Sequence, residues 1–438
     1  MMHWFDGLTL WLQGNPHWLA LAIFLSACLE CLAVAGIVVP GVLLLFSLAV
    51  LAGSGAVPLW QVLLLGYAGG LLGDALSYGL GRCFHQNIRR LPLLREHPQW
   101  LVTAERYFQR YGVMSLLIGR YIGPLRPMLP MVAGMLDMPL LRFMLVSLLA
   151  AAGWAVAYLL PGWATGAALR LPLPEGFWSA AGIVCGVLAT CLLLVIQASL
   201  HERRWSSALA TLLGAMTLAA LLAGFSQLDS FDQGLMALLQ SERQAPLDPV
   251  AVFITRFGDF NLQLAAGVLL VALLLACRQW QAGILAGSSL LLAACVTTAL
   301  KHLLERPRPE ILLQPLESYS MPSGHSSAAF AFFLVLGILA GRGSAARTRL
   351  AWLVIASLPA LAIALSRVYL GVHWPTDIIA GALLASTGCA LCLTLCQRAA
   401  PLQPLPARVW WLVLPACLAL LGVMATWQFS AALLRYSY

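Results

Sequence analysis

Residues 282–300 read AGILAGSSLLLAACVTTAL, a run that contains no charged side chain. As an α-helix, a run of about 20 such residues crosses the ~30 Å hydrocarbon core of a bilayer. Residues 409–427 form a second run of this kind, and over the 438 residues 61% are hydrophobic and only 10% are charged. Because unpaired backbone groups cannot face lipid, such a chain folds as a bundle of helices. We therefore predict an all-α polytopic membrane protein.

The net charge of +8 and the 11 cysteines are compositional features that could suggest other functions. In a membrane chain, excess arginine and lysine marks cytoplasmic loops and contacts with anionic headgroups, so we expect no nucleic-acid partner. The cysteines lie mostly in apolar runs without companion histidines, and we interpret them as packing residues. No basic residue precedes the first apolar run and no small-residue cleavage site follows it, so we expect no removable signal peptide.

A polar break, His-Glu-Arg-Arg at residues 201–204, separates two long apolar runs. We place a domain boundary there, and predict domains at 1–200 and 201–400 followed by one additional transmembrane helix within 401–438. Beyond the break, the apolar pattern predicts seven spans. They lie near residues 206–225, 261–277, 281–303, 323–341, 349–368, 376–396 and 409–429.

The arginines outside the candidate site predict the orientation of these spans. Positively charged loops stay on the cytoplasmic side of a membrane. When the spans alternate, the arginine-rich loops share one face, and the connections 304–322 and 369–375 lie on the other. The arginines are Arg203, Arg204, Arg278, Arg342, Arg347, Arg349, Arg398 and Arg408, and Arg89, Arg90 and Arg95 can share their face.

Three polar clusters stand at the ends of predicted helices, on the face opposite the arginine-rich loops. Ionisable groups are costly at membrane depth, so several of them at neighbouring helix ends indicate a functional site. A single lysine or arginine there could simply extend its charged end to the membrane–water interface. A set of this size is not explained in that way. The clusters are Lys301-x6-Arg308-Pro309, Pro322-Ser323-Gly324-His325 and Ser366-Arg367-x5-His373-x3-Asp377.

These residue types suit the transfer of a phosphoryl group. Lys301, Arg308 and Arg367 can stabilise the negative charge that spreads over the phosphate oxygens. Ser323 and Gly324 precede a predicted helix, whose first backbone amides favour a bound anion. These loops offer no clustered carboxylates for magnesium.

The two histidines are candidates for a nucleophile and an acid. His373 and Asp377 are four residues apart, so a helix that begins near Trp374 lets the carboxylate orient the imidazole. A histidine oriented in this way can attack phosphorus. His325 can then protonate the departing oxygen and activate water for a second step.

The three clusters match, in order and spacing, the signature of the type 2 phosphatidic-acid phosphatase superfamily, which the second half of the chain therefore resembles. The resemblance implies a six-helix bundle and a metal-independent lipid phosphatase that needs no cofactor. It implies that His373 is the nucleophile, that Asp377 orients it and that His325 is the acid. The remaining five positions would bind the phosphate: Lys301, Arg308, Ser323, Gly324 and Arg367.

The first half carries four ionisable residues in apolar segments that glycine and proline interrupt, namely Glu30, Asp74, Arg120 and Arg126. Such residues in a membrane indicate function, since arginine suits a phosphate headgroup and a carboxylate suits proton or ion-pair chemistry. Purely structural ion pairing is the alternative.

Residues about 16–170 resemble the DedA family, also called the SNARE-associated or VTT-domain family. The resemblance rests on motifs such as Pro40-Gly41, Gly73-Asp74 and Gly119-Arg120-Tyr121-x2-Pro124-x-Arg126; Val42 stands where the family often has an acidic residue. It implies a bundle with two re-entrant hairpins and the transport of lipids, either undecaprenyl phosphate or phospholipids.

Together the two resemblances imply one pathway in a multi-pass protein of the bacterial inner membrane. Undecaprenyl diphosphate would be hydrolysed on the periplasmic side, and undecaprenyl phosphate would return to the cytoplasmic leaflet, with proton coupling as one option. The alternative is a phosphatidate or phosphatidylglycerol-phosphate phosphatase whose first half is a phospholipid scramblase or a non-enzymatic scaffold. The candidate phosphate-binding residues recognise only phosphate, so the sequence does not determine the rest of the lipid headgroup.

Overall fold

The structure is a computed structural model. It describes residues 11–12, 14–33, 35–38, 41–85, 87, 95, 98–121, 126–203, 205–313, 316–427 and 429–437. Within these ranges every regular element is a helix, which confirms the predicted all-α class. Five residues that the sequence analysis used lie outside the described residues: Pro40, Arg89, Arg90, Pro124 and Arg204.

The chain divides into two compact units, residues 1–172 and 173–438. The division falls earlier than the domain boundary drawn at residue 200, because the helix Phe177–Leu200 packs against helices of the second unit.

The first unit is built around a helix of 26 residues, Leu59–Phe84, which packs against helices on both sides. Its glycines permit close approach: a Cβ atom added at Gly73 would lie 2.4 Å from the backbone oxygen of Cys28. The helices are α1 (Pro16–Cys31), α2 (Ala35–Val38), α3 (Gly41–Leu51, continued by a π-helix at Ala52–Ala56), α4 (Leu59–Phe84), α5 (Pro98–Tyr111), α6 (Met114–Gly119), α7 (Met128–Met135) and α8 (Leu140–Arg170).

The second unit holds the three polar clusters. Its described helices are α9 (Phe177–Leu200), α10 (Ser206–Gly224, followed by a 3-10 turn at Phe225–Leu228), α11 (Asp229–Ser241), α12 (Asp248–Arg256), α13 (Phe260–Ala276), α14 (Trp280–Leu304), α15 (Gly324–Ala340), α16 (Ala346–Tyr369), α17 (Pro375–Ala399), α18 (Ala407–Thr426) and α19 (Phe429–Arg435). Seven of them lie at the seven predicted spans, with ends that differ by a few residues.

Length and composition identify the helices that can cross a membrane. Eight helices among the described residues meet this description, and the count rises to nine if the bent pair α12 and α13 forms one span. Helix α15, which is apolar beyond its first turn, is shorter, at 17 residues. These helices make the chain a polytopic membrane protein.

An apolar core holds five helices of the second unit together. Buried side chains of α13, α14, α15, α17 and α18 contribute to one cluster, for example Leu270, Leu285, Phe332, Leu384 and Val413. Lipid is as apolar as these side chains, so close packing between the helices stabilises this core. The core therefore fixes the helix ends from which the polar clusters project.

Candidate active site

One cavity of about 1020 Å³ brings together residues of all three polar clusters. Lys301, Arg308, Gly324, His325, Arg367 and His373 line its polar end. Its other wall is apolar and is formed by α13 and α14, with Leu264, Val268, Val271, Leu275 and Leu291 among the lining residues. The cavity thus offers cations at one end and a hydrocarbon-like surface at the other.

His373 lies in the turn between α16 and α17, and its environment defines its tautomer. Nε2 lies 3.1 Å from Nη1 of Arg308, which can only donate a hydrogen bond, so Nε2 must accept. The proton is therefore on Nδ1, which lies 3.3 Å from Oδ2 of Asp377. Burial, followed by the charges of Arg308 and Arg367, holds the pKa of His373 well below its usual range. Neutral His373 consequently presents a lone pair to the cavity.

Asp377 is completely buried behind His373, at the third position of α17. Its Oδ2 accepts a hydrogen bond from the backbone amide of Trp374 at 2.9 Å and another from the hydroxyl of Ser320. The carboxylate thereby caps α17 and orients His373 at the same time.

Arg306 binds the other oxygen of the Asp377 carboxylate. Its Nη1 donates to Oδ1 of Asp377 at 2.8 Å, and its Nη2 donates to Oδ2 of Asp232 at 2.6 Å. Asp232 is fully buried and also accepts the amide and hydroxyl of Thr376. Arg306 is therefore a buried link between two carboxylates, since its side chain is only 7% exposed.

Arg308 and Lys301 hold the loop between α14 and α15. Arg308 donates to the backbone oxygen of Ser318 at 2.6 Å and to that of Val372 at 2.7 Å, so it joins this loop to the turn that carries His373. Lys301 donates to the backbone oxygen of Tyr319. Burial and the charge of Arg367 lower the pKa of Arg308 to about 10, which leaves it cationic at neutral pH.

Ser323 and Gly324 begin α15. The hydroxyl of Ser323 accepts hydrogen bonds from the amide and the hydroxyl of Ser326, so its oxygen caps the helix and is completely buried. The amide of Ser323 donates to the backbone oxygen of Asp377 at 3.0 Å, which joins the starts of α15 and α17. Gly324 faces the cavity beside Lys301.

His325 projects from the first turn of α15 into the cavity and pairs with a residue outside the three clusters. Its Nε2 lies 3.0 Å from Oδ1 of Asp259, the residue that precedes α13. Gly258 packs directly against this histidine, since a Cβ atom at position 258 would lie 3.0 Å from Cβ of His325. The ring is thereby held between α13 and α15.

In the first unit, the four predicted residues form two buried ion pairs. Arg126 donates to Oε1 of Glu30 at 2.6 Å, and Arg120 pairs with Asp74. The guanidinium carbons of both arginines lie over the Trp154 ring, at 5.1 and 5.4 Å. The second carboxylate oxygens of Glu30 and Asp74 are buried without a hydrogen bond among the described residues.

Several residues near the predicted set were not identified from the sequence. Ser320, Asp259 and Arg306 contact predicted residues, and Asp232 binds Arg306. The signal available for Arg306 was the repeated Arg-Pro-Arg-Pro at residues 306–309. Asp232 and Asp259 lie far from the clusters in the sequence, and only the fold brings them close.

Comparisons with known proteins give a separate family match in each of the two units. Residues 39–164 match the VTT domain and residues 282–401 match the PAP2 superfamily. Inner membrane protein YabI of Escherichia coli (strain K12) is 36% identical over 196 residues, which are 44% of this chain and 74% of YabI. Undecaprenyl-diphosphatase of Sulfolobus acidocaldarius is 30% identical over 173 residues, which are 38% of this chain and 78% of that protein.

Among solved structures, the PAP2-type phosphatidylglycerolphosphate phosphatase from Bacillus subtilis is 26% identical to this chain. The similarity covers 44% of this chain and 97% of that one, with a TM-score of 0.38.

The chain belongs to both families, as a fusion of a VTT domain with a PAP2-superfamily domain. It is a multi-pass membrane protein whose PAP2 part is a lipid phosphatase domain.

Proposed function

We propose that the second unit hydrolyses undecaprenyl diphosphate to undecaprenyl phosphate through a phosphohistidine on His373. The observation that carries this proposal is the tautomer of His373, whose unprotonated Nε2 faces the cavity and Arg308. A neutral imidazole beside fixed cations is suited to attack a phosphorus atom that those cations hold.

In the first step, the lone pair on Nε2 attacks the terminal phosphorus. A phosphorus–nitrogen bond forms, and the bond from that phosphorus to the bridging oxygen breaks. His325 gives a proton to this oxygen, which leaves as part of undecaprenyl phosphate. Asp377 stabilises the positive imidazole through Nδ1, 3.3 Å away. Lys301, Arg308 and Arg367 stabilise the charge on the transferred oxygens.

In the second step, water attacks the phosphorus of the phosphohistidine. His325, now neutral, takes a proton from this water, and the phosphorus–nitrogen bond breaks with its electron pair returning to Nε2. Inorganic phosphate then leaves. Asp259 holds the ring of His325 at 3.0 Å during both proton transfers. Charge is supplied by side chains of this chain, so we propose a metal-independent reaction.

Two observations favour a long-chain lipid diphosphate as the substrate. The cavity continues from the cations along apolar faces of α13 and α14. The chain also covers 78% of the Sulfolobus acidocaldarius protein whose name is undecaprenyl-diphosphatase. The distribution of arginines supports an active site on the periplasmic face of a bacterial inner membrane.

For the first unit we propose movement of undecaprenyl phosphate to the cytoplasmic leaflet. A phosphate headgroup can replace the carboxylate partner of Arg120 or Arg126. A buried carboxylate that loses its partner is costly, and protonation removes this cost. Glu30 and Asp74 would then couple lipid movement to protons.

A side-by-side assay tests the phosphatase proposal. The purified protein would be given undecaprenyl diphosphate, phosphatidate and phosphatidylglycerol phosphate, with His373→Ala as the inactive control. We expect the highest kcat/KM for undecaprenyl diphosphate. A higher value for either phospholipid would identify that lipid as the substrate instead. Full activity of His373→Ala would contradict a phosphohistidine intermediate.

A further inference from the structure

The segment 429–437 reaches the phosphatase cavity, although the sequence predicted only an additional transmembrane helix for residues 401–438. Arg435 and Tyr436 line the same cavity as Arg367 and His373. The match to the PAP2 superfamily ends at residue 401, so this segment lies outside it.

Tyr436 holds one of the candidate phosphate-binding arginines. Its hydroxyl accepts a hydrogen bond from Nη1 of Arg367 at 2.8 Å, and its side chain is buried, with 6% exposure. Thr255 accepts from the same nitrogen at 2.9 Å. The Nε of Arg367 is buried and has no hydrogen bond to any described residue. Arg367 is therefore fixed at one nitrogen, while its Nε keeps an unused hydrogen-bond donor.

Contacts with the catalytic loops fix the position of the segment. The backbone oxygen of Ser437 accepts from the amide of Leu313 at 3.2 Å, and that of Tyr436 accepts from Arg243 at 3.1 Å. The Tyr436 side chain packs in an apolar cluster with Leu370 and Val372. The segment therefore rests on the loop that follows Arg308 and on the turn that carries His373.

Arg435 adds a positive charge to the polar end of the cavity. Its side chain is exposed, unlike that of Arg367, and its charge contributes to the lowered pKa of Arg308. Lys301, Arg308 and Arg367 already supply three cations for one phosphoryl group. A further, solvent-facing cation suits a headgroup whose negative charge extends beyond the reacting phosphorus.

We propose that residues 429–437 complete the headgroup site: Tyr436 is a positioning residue for Arg367, and Arg435 binds the second phosphate group of a lipid diphosphate. This inference rests on the proposed phosphatase function. It assigns the preference for a diphosphate over a monophosphate to a part of the chain outside the three clusters.

The test compares two substrates that differ by one phosphate group, a polyprenyl diphosphate and the monophosphate of the same chain length. The variants are Tyr436→Phe and Arg435→Gln, with Leu434→Ala as the matched control, since Leu434 is 75% exposed. For Arg435→Gln we expect KM to rise about three- to tenfold for the diphosphate only, because an exposed charge contributes modestly. The effect should shrink at high salt.

For Tyr436→Phe we expect kcat/KM to fall by about tenfold or more with both substrates, because a hydrogen bond to a charged group is lost while the ring remains. Equal effects of Arg435→Gln on both substrates, or no effect of Tyr436→Phe, would overturn the respective assignment.

A binding measurement separates this inference from the phosphatase proposal. Isothermal titration with pyrophosphate and with inorganic phosphate needs no turnover. We expect Arg435→Gln to weaken pyrophosphate binding more than phosphate binding, and Tyr436→Phe to weaken both. Unchanged binding in both variants would refute the headgroup site even if the wild-type protein is an active phosphatase. If the wild-type protein hydrolyses neither lipid although the variants show these differences in binding, the phosphatase proposal would instead be refuted.

Discussion

Arg306 donates a hydrogen bond to Oδ1 of Asp377 at 2.8 Å, while Oδ2 of the same carboxylate faces His373. The guanidinium is thus separated from the candidate nucleophile by a single side chain. Because Asp232 binds the other end of Arg306, the position of Asp377 depends on α11 as well as on its own helix.

Arg306→Gln should lower kcat about tenfold to a hundredfold and move the acid limb of the pH–rate profile to higher pH. Without the cation, Asp377 and Asp232 are two buried carboxylates with less compensation, so one of them keeps a proton to higher pH. The charges that act on the Asp377 carboxylate come from five groups. Arg306, Asp232 and His373 lie next to it, and Lys301 and Arg308 lie further away.

The matched control for this experiment is Arg408→Gln, which removes an exposed guanidinium at the start of α18. It should leave both the rate and the pH profile unchanged. If Arg306→Gln reduces the amount of folded protein but the remaining enzyme has a normal pH profile, Arg306 has a structural role only.

His325→Ala should slow turnover by about 10²–10⁴-fold, because the departing oxygen loses its acid. Hydrolysis of the phosphohistidine should also slow, so radiolabelled substrate should leave an acid-labile, alkali-stable phosphoenzyme in this variant. The double variant His325→Ala/His373→Ala is the control and should retain no label. Equal labelling of the two variants would place the covalent bond on another residue.

Chelators should leave the hydrolysis rate unchanged. Lys301, Arg308 and Arg367 meet the phosphate with fixed positive charge, which is the task that a divalent cation performs in other phosphoryl-transfer sites. Initial rates with and without EDTA, followed by addition of magnesium, provide the measurement. A rate that falls in EDTA and returns with magnesium would contradict the proposed reaction.

Single cysteines at Glu310→Cys and Thr348→Cys should be labelled from opposite sides of the membrane. Both positions are exposed, and one span, α15, lies between them together with the loops. The arginine distribution predicts that position 310 is periplasmic and position 348 cytoplasmic. The cysteine-free protein is the background, and labelling of both positions from one side would show that the spans are miscounted.

Arg120→Ala and Arg126→Ala should impair lipid movement in reconstituted vesicles while detergent-solubilised protein keeps its phosphatase activity. Each substitution leaves a buried carboxylate without its partner, which typically costs about 3–5 kcal/mol, so folded protein must be quantified. Arg142→Ala, at an exposed position of α8, is the matched control. Loss of hydrolysis as severe as in His373→Ala would refute separate roles.

The sequence predicted the helices and the members of the three clusters because both signals are local. Apolar runs define spans, and residues four apart, such as His373 and Asp377, meet on one helical turn. The cavity that joins six of the predicted residues follows from the ends of three helices meeting at one place.

Contacts between distant parts of the chain could not be predicted in this way. Arg306 and Asp232 are 74 residues apart, and Arg367 and Tyr436 are 69 apart, so no spacing rule connects them. The role of Ser323 illustrates a second limit, because its residue type suits both a phosphate ligand and a helix cap. Only the structure places its hydroxyl on Ser326.

The hydrogen bond from the amide of Ser323 to the backbone oxygen of Asp377 joins the starts of α15 and α17, just ahead of His325 and just after His373. The separation between the proposed acid and nucleophile is therefore set by main-chain geometry, not by how deeply each helix sits among lipids. Bilayers of different thickness change helix tilt at small energetic cost. An active site tied together by its backbone should tolerate such tilting, and its turnover should vary little between membranes of short-chain and long-chain lipids.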